Sequence, residues 1–372
     1  MRLHEDEGEQ AFRLTVREFV QTNLPADIRE RVLGFQRVEK DDYLRWQRIL
    51  HAHGWGAPGW PVAEGGMGWS PMERVIFDEE CLTAGAPRQL PTGVAMIGPV
   101  LIRYGTPRQK ACFLSPILSG EHTWCQGYSE PGAGSDLASL SLRAVRDGDD
   151  YVLDGQKTWT SYAQWADWMF CLVRTRREGK PQAGISFLLV DMKSPGVTVS
   201  PIRSIDESSD LNEVFLDSVR VPAHLLIGEE NAGWEIAKFL LGNERATIAG
   251  LGACRRLLSQ CQRLVSQPPR DPRLADRLVH LEIELLAHEW SLRRFLAGGD
   301  ECLFEPANAS LLKVRGSEIQ QGLSTLLMDW AASASTQHVE LLSRVYFDLR
   351  KISIFGGTNE VQRSLIAKSL GV

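Results

Sequence analysis

A change of period in the middle of the chain limits its fold more than any other feature. From residue 1 to about 120, and again from 229 to 372, apolar residues recur at helical spacing. In "EQAFRLTVREFVQTNL", Phe12, Val16, Phe19 and Val20 fall on one stripe, and "DDYLRWQRILHAHGW" repeats the pattern. Between these regions the apolar residues alternate or form short blocks: "DYVLDG", "DWMFCLVRT", "GISFLLVDM", "GVTVSPI" and "NEVFLDSVRVP". Gly, Pro, Asp and Asn separate them, as expected for the strands of a small sandwich or barrel. A β block flanked by helices excludes a doubly wound nucleotide fold, in which strands and helices alternate.

The expected domains are therefore a helical one over 1–120, a β domain over 121–228 and a helical one over 229–372. Long helices are expected near 233–266, 273–297, 306–330 and 340–352, whereas the Gly/Pro/Trp-rich stretch 54–71 cannot be helical. A length of 372 residues exceeds one compact core. The net charge of −6 argues against a nucleic-acid or anionic-membrane surface. No apolar run approaches the roughly 20 residues of a membrane span, and "MRLHEDEGEQAFRLTVREF" has no apolar signal core. The seven cysteines are scattered without a C-x-x-C pair, which suits reduced thiols rather than a disulfide framework or zinc site. The expectation is a cytoplasmic, water-soluble protein.

The most specific stretch is "WCQGYSEPGAGSDLAS" (124–139), followed by "DGQKTWTS" (154–161). Pro131 to Ser135 reads either as a plain β-turn or as a loop whose missing side chains let backbone approach a ligand, with Ser135 offering a hydroxyl to phosphate. Trp124, Tyr128, Trp159, Tyr162, Trp165 and Trp168 lie nearby. Such a group is more often core than a cofactor box.

Taken in order, "CQGYSEPGAGSDLASL", "VLDGQKTWTS", "GISFLLVDMKSPGVTV", "NEVFLDSVRVPAHLLIGEENAGW" and "IFGGTNEVQR" resemble the acyl-CoA dehydrogenase family. "GAPGWPVAEGGMGWSP" and "YGTPRQKACFLSPILSGEHTW" resemble its first domain, so the likeness covers nearly the whole chain. It implies an α+β fold: a helical N-terminal domain, a middle β-sandwich or barrel domain and a C-terminal four-helix bundle, with FAD between the last two. By position, it places Gln126, Tyr128 and Ser129 along the isoalloxazine and ribityl chain and Ser135 at the pyrophosphate. Trp159 and Ser161 fall against the ring and N5, and Thr358 and Glu360 also contact the cofactor. The implied activity is that of an oxidoreductase acting on a CH–CH bond of an acyl-CoA and passing electrons to an electron-transfer flavoprotein. The implied assembly is a homodimer, a tetramer or a heteromer with a related subunit.

Removing the α-proton of a thioester calls for a carboxylate in an apolar pocket, where desolvation raises its pKa. It also calls for donors on the thioester carbonyl. Many family members place the glutamate immediately before the Gly-Thr of the C-terminal motif, but here that position is Gly356. The family's second location matches Glu244 in "FLLGNERATIAGLG", with Arg245 beside it as a candidate substrate contact. Leu241, Glu244, Ile248, Leu251 and Leu258 share helical spacing, so Glu244 interrupts an apolar stripe. A buried carboxylate there has either a cationic partner or a catalytic task. Gly356 keeps a role as a backbone N–H donor to the thioester carbonyl.

The chain also departs from the family pattern. Where many members carry Arg-x-x-Phe-Gly after the catalytic helix, this one reads "CRRLLSQCQRLVSQPPRDPRLADRL", a helix break and restart. That resembles bacterial subgroups acting on branched, dicarboxylic or steroid side-chain acyl-CoAs. The alternatives are a same-scaffold oxidase or monooxygenase, a dehydrogenase of acyl-carrier-protein thioesters, and a silent subunit of a heteromer.

Overall fold

The Asp6 carboxylate accepts the Glu9 N–H and the Glu9 carboxylate accepts the Asp6 N–H, a reciprocal cap that starts α1 (Glu7–Asn23). The computed structural model describes residues 5–248, 250–267, 271–303 and 305–371, with the side chains at 243–249, 300 and 301 also outside the description. The chain forms two compact units. One takes residues 1–49, 67–89 and 242–372; the other takes 50–66 and 90–241.

After α1 come α2 (Ala26–Leu33), α3 (Lys40–Ala52) and α4 (Pro71–Ala84). Val16, Phe19 and Val20 are buried as the stripe predicts, and Phe12 meets the Trp69 ring edge-on. The stretch 54–71 holds a single 3-10 turn, Val62–Glu64, and no α-helix before α4 begins at Pro71. α5 (Gly98–Tyr104) and α6 (Pro107–Ser119) belong to the second unit.

That unit holds the sheet. Its strands are β1 (Trp124–Gly127), β2 (Arg143–Asp147), β3 (Asp150–Ser161) and β4 (Trp168–Arg174). β5 (Ile185–Asp191), β6 (Val197–Ile202), β7 (Leu211–Pro222) and β8 (Leu226–Ile227) follow. The strand order is β6-β7-β3-β2-β4-β5-β8, with β1 paired to β4. β1 and β2 run parallel to β4 and the other pairings are antiparallel. β4 and β5 are covered on both faces, which is why residues 169–173 and 187–190 are continuous apolar runs. β7, half-covered, alternates instead. Gln109 of α6 donates to the carbonyls of His224 and Leu226, both at 2.8 Å, and so ties that helix to β8.

The helical segments that follow are α7 (Gly233–Ile248), α8 (Leu251–Val265), α9 (Pro272–Leu296) and α10 (Gly299–Leu303). Last come α11 (Pro306–Ala334), α12 (Thr336–Asp348) and α13 (Asn359–Ser369). α11 lies at the centre of the first unit, packed by α8, α9, α12 and α13. Leu312, Ile319, Leu323, Leu326 and Leu327 are buried along it, each contributing about 1.5–3 kcal/mol by leaving water.

Two boundaries differ from the sequence expectation. The helix expected over 233–266 is two helices, because Gly250 sits at φ 48, in the left-handed region that ends one helix and starts another. Leu251 and Leu258 therefore lie on α8, and the stripe shared with Glu244 runs only from Leu241 to Ile248 on α7. The helix expected over 340–352 begins earlier, where the Ser335 side chain caps α12, and gives way to a 3-10 turn at Leu349–Ser353. After the di-proline, Asp271 caps α9 through the Arg273 N–H at 2.8 Å.

Candidate functional site

In the sheet unit, β1 leads Gln126 and Tyr128 to the rim of the sheet. Gln126 pairs with Phe170 across the parallel ladder. Its Nε2 is buried and meets no hydrogen-bond acceptor among the described residues. Tyr128 is buried with its ring edge-on to Phe170 and Phe187. Its carbonyl accepts from Lys157 Nζ at 3.1 Å, and the next carbonyl, that of Ser129, accepts the Thr158 N–H at 2.9 Å. Beyond them Glu130 and Ala133 exchange backbone hydrogen bonds of 2.8 and 3.0 Å, closing a tight turn that leaves Ser135 exposed.

At the end of β3 the register against β7 slips between Lys157 and Thr160. Trp159 occupies this bulge at φ 57, a conformation a non-glycine residue adopts at a cost of about 1–3 kcal/mol. The bulge turns the indole outward, leaving it 60% exposed. Ser161, two residues on, is exposed as well. The other aromatics form pairs: Trp124 stacks on Trp168 beside Phe113 in the core, and the half-buried Tyr162 stacks on Trp165. For Trp124 and Trp168 the core reading applies.

In the helical unit, Gly356 and Gly357 take φ 65 and 86, and Thr358 then caps α13 through the Val361 N–H at 3.2 Å. Glu360, in the first turn, is exposed; its own N–H and the Thr358 hydroxyl hold its carboxyl below the usual range. Beneath the loop lies a buried polar cluster. Lys313 Nζ donates to Asn359 Oδ1 at 2.9 Å, Ser310 Oγ donates to Gln362 Oε1 at 2.7 Å, and Asn359 Nδ2 donates to Ser317 Oγ at 3.0 Å. Glu244 and Arg245 fall on α7, and their side chains lie outside the described residues.

The site residues thus form two groups. Tyr128 and Ser129 are sewn to β3 just before Trp159, while Gly356, Thr358 and Glu360 share one loop and helix start. Sequence reasoning missed the buried polar residues behind both groups: Glu130 and Lys157 in the first, Lys313, Asn359 and Gln362 in the second. All but Lys313 lie inside motifs quoted above, yet nothing in their spacing marks them as buried.

The sheet unit's donors suit a flavin. A ring system edged with acceptors matches the buried amide of Gln126, unpartnered among the described residues, and the outward indole of Trp159 offers it a flat apolar face. A phosphate matches the exposed Ser135 hydroxyl, and a Cβ built on Gly132 or Gly134 would meet nothing within 4 Å, which leaves the backbone open to approach. No group of three His, Cys, Asp or Glu side chains among the described residues could hold a metal ion. No helix of the described residues is long and apolar enough to cross a membrane.

Three family models match the chain in order. They are the acyl-CoA dehydrogenase N-terminal domain over 6–121, middle domain over 125–219 and C-terminal domain over 231–371. The chain is 36% identical over 381 residues to "Acyl-CoA dehydrogenase IpdE1" of Mycolicibacterium smegmatis, with 96% of each chain covered. Among solved structures it is similar to the "Tcur3481-Tcur3483 steroid ACAD", with a TM-score of 0.88 and 31% identity over 100% of this chain and 99% of that one. It is also similar to the ChsE4-ChsE5 complex from Mycobacterium tuberculosis, with a TM-score of 0.85 and 31% identity over 100% and 99% of the two chains.

Proposed function

Because the chain belongs to the acyl-CoA dehydrogenase family of flavoprotein oxidoreductases, we propose that it is an FAD-dependent α,β-dehydrogenase of an acyl-CoA in which Glu244 is the base. The observation that carries the assignment of the base is Gly356: the loop position before Gly357 and Thr358 has no side chain to accept a proton. The nearest family alternative in this chain is the carboxylate on α7.

In this reading Gln126, Tyr128, Ser129, Trp159 and Ser161 hold the flavin ring and ribityl chain, Ser135 the pyrophosphate, and Thr358 and Glu360 further parts of the cofactor. Bound FAD supplies a two-electron acceptor at N5 for the hydrogen that leaves the substrate β-carbon with its electron pair. The Glu244 carboxylate takes the α-proton, and the electrons of that C–H bond move into the thioester as an enolate. The Gly356 N–H donates to the thioester oxygen, where that charge gathers. Arg245 contacts the substrate beside the base.

The likeness to a steroid ACAD supports a bulky, ring-bearing acyl group over a simple straight chain. Two of the similar structures carry paired subunit names, which supports assembly with a related subunit. An electron-transfer flavoprotein is the proposed acceptor. The test is anaerobic: purified protein, reconstituted with FAD, is mixed with a panel of acyl-CoA thioesters that includes steroid side-chain substrates. Bleaching of the visible flavin band by one of them is expected. A protein that takes up no FAD, or whose flavin no thioester bleaches, would contradict the proposal, the second outcome pointing to a silent subunit.

A further inference from the structure

Glu130 and Lys157 form an ion pair inside the sheet unit, with Nζ 2.8 Å from Oε1 and side chains 5% and 0% exposed. Such a pair is weak evidence for stability, since apolar residues of similar volume often serve a fold as well or better. Its value here lies in what it joins. Glu130 Oε1 also accepts the Leu142 N–H at 2.9 Å, while Oε2 accepts the Ser141 N–H at 2.6 Å and its hydroxyl at 2.9 Å. One carboxylate therefore fastens both ends of the excursion that runs from the Glu130–Ala133 turn past Ser135 and back to β2. Burial alone would raise this carboxyl, but Lys157 and the two N–H donors outweigh it and keep it below the usual range.

Farther along the excursion, Arg174 binds the carbonyls of Ala138 and Leu140 at 2.7 and 2.9 Å. The tip is held more loosely. Ser139 Oγ reaches the Gly132 carbonyl only at 3.5 Å, and nothing packs where Gly132 or Gly134 would carry a Cβ. Ala133 is buried in the core, but Pro131, Gly132, Gly134, Ser135 and Asp136 are exposed, so the position of this outer part of the tip depends on its base.

Lys157 carries the restraint across to β3. Its ammonium holds the Tyr128 carbonyl as well as Glu130, and the next residue, Thr158, donates to Ser129. Residues 128–130 are thus sewn to 157–158, directly before the bulge that turns Trp159 outward.

We propose that the Glu130–Lys157 pair is a positioning device for the cofactor, setting the 131–136 loop and the Trp159 indole at a fixed separation before FAD binds. This rests on the reading that the sheet unit holds FAD. Preorganised groups bind without the ordering cost that loose ones incur, so the pair governs cofactor affinity rather than the reacting atoms.

The test compares full-length wild type, Lys157→Met, the charge-neutral double variant Glu130→Gln/Lys157→Met, and Val219→Ala, a buried change elsewhere in the sheet. FAD affinity is read by spectral titration, the flavin environment by visible circular dichroism, stability by melting, and kcat at saturating FAD. The double variant is expected to melt closer to wild type than Lys157→Met does, yet both should bind FAD about an order of magnitude more weakly. Both should also alter the flavin dichroism, with kcat at saturation little changed. Val219→Ala should lower the melting temperature alone. The proposal is overturned if the double variant regains FAD affinity together with stability, or if Val219→Ala weakens FAD as much at equal melting loss. The double variant decides the matter if Lys157→Met fails to fold. Wild type that takes up no FAD would overturn the functional reading itself, and that measurement comes before any variant is made.

Discussion

Gln362 Nε2 donates to the carbonyl oxygen of Gly356 at 3.3 Å, so the first side chain fully buried on α13 holds the glycine loop from beneath. The same amide stands 2.3 Å from where a Cβ on Gly357 would lie, and its oxygen is already engaged by Ser310. Neither end of that side chain can swing aside cheaply.

Gly357→Ala is therefore expected to destabilise the helical unit. The left-handed φ of 86 alone costs a non-glycine residue about 1–3 kcal/mol, and displacement of Gln362 adds to this. Gly134→Ala is its counterpart: with open space around the new methyl, stability should stay within about 0.5 kcal/mol. FAD uptake should nevertheless weaken if, as proposed, that open face meets the cofactor, because the methyl would occupy it. Melting curves and FAD titrations of the two variants check both halves.

Acid sensitivity is expected from the first helix. Arg13 pairs with Glu79 at 2.9 Å and Glu80 at 2.7 Å, and with Glu5. The Arg13 hydrogen bond holds the Glu5 carboxyl below its ordinary 4.5; at Glu80, burial works the other way but Arg17 and Arg13 outweigh it. A carboxyl depressed in the folded state stabilises fully above the ordinary value and loses that contribution as pH falls through its folded value. Arg13→Ala should thus cost about 3–5 kcal/mol near neutral pH, and less as the carboxyls protonate. Melting temperatures of wild type and variant, measured at neutral pH and below pH 4.5, should converge on the acid side; a constant difference would contradict the assignment.

Thiol chemistry should discriminate sharply. Cys112 is exposed, whereas Cys81, Cys125, Cys171, Cys254 and Cys261 are buried. Burial pushes the Cys171 thiol up to about 11 and those of Cys254 and Cys261 up to about 12, leaving little thiolate to react. Brief alkylation of native protein, read by peptide mass spectrometry, should label Cys112 ahead of the half-buried Cys302 and spare the other five.

The helix–strand–helix order was legible because burial on one face or two leaves a different period in each region. "DWMFCLVRT" became β4 and "NEVFLDSVRVP" became β7 for that reason. The break at Gly250 was misread, since one glycine between two helical stripes does not announce a left-handed turn until its φ is known. The motifs proposed to hold the cofactor were named by resemblance alone, and their glycines by backbone chemistry. Glu130 and Lys157 were not, because a charge 27 positions from its partner acquires meaning only when two strands bring the pair together. Asn359 stood inside "IFGGTNEVQR", yet its link to Lys313 depends on how α11 and α13 pack.

The central claim is that proton transfer has moved from the loop at Gly356 to Glu244. Its most direct test is anaerobic stopped-flow mixing of FAD-loaded Glu244→Gln with the acyl-CoA that bleaches the wild type. The account predicts that the variant keeps its flavin and its visible spectrum, while flavin reduction slows by at least about a hundredfold. Reduction at the wild-type rate would contradict it.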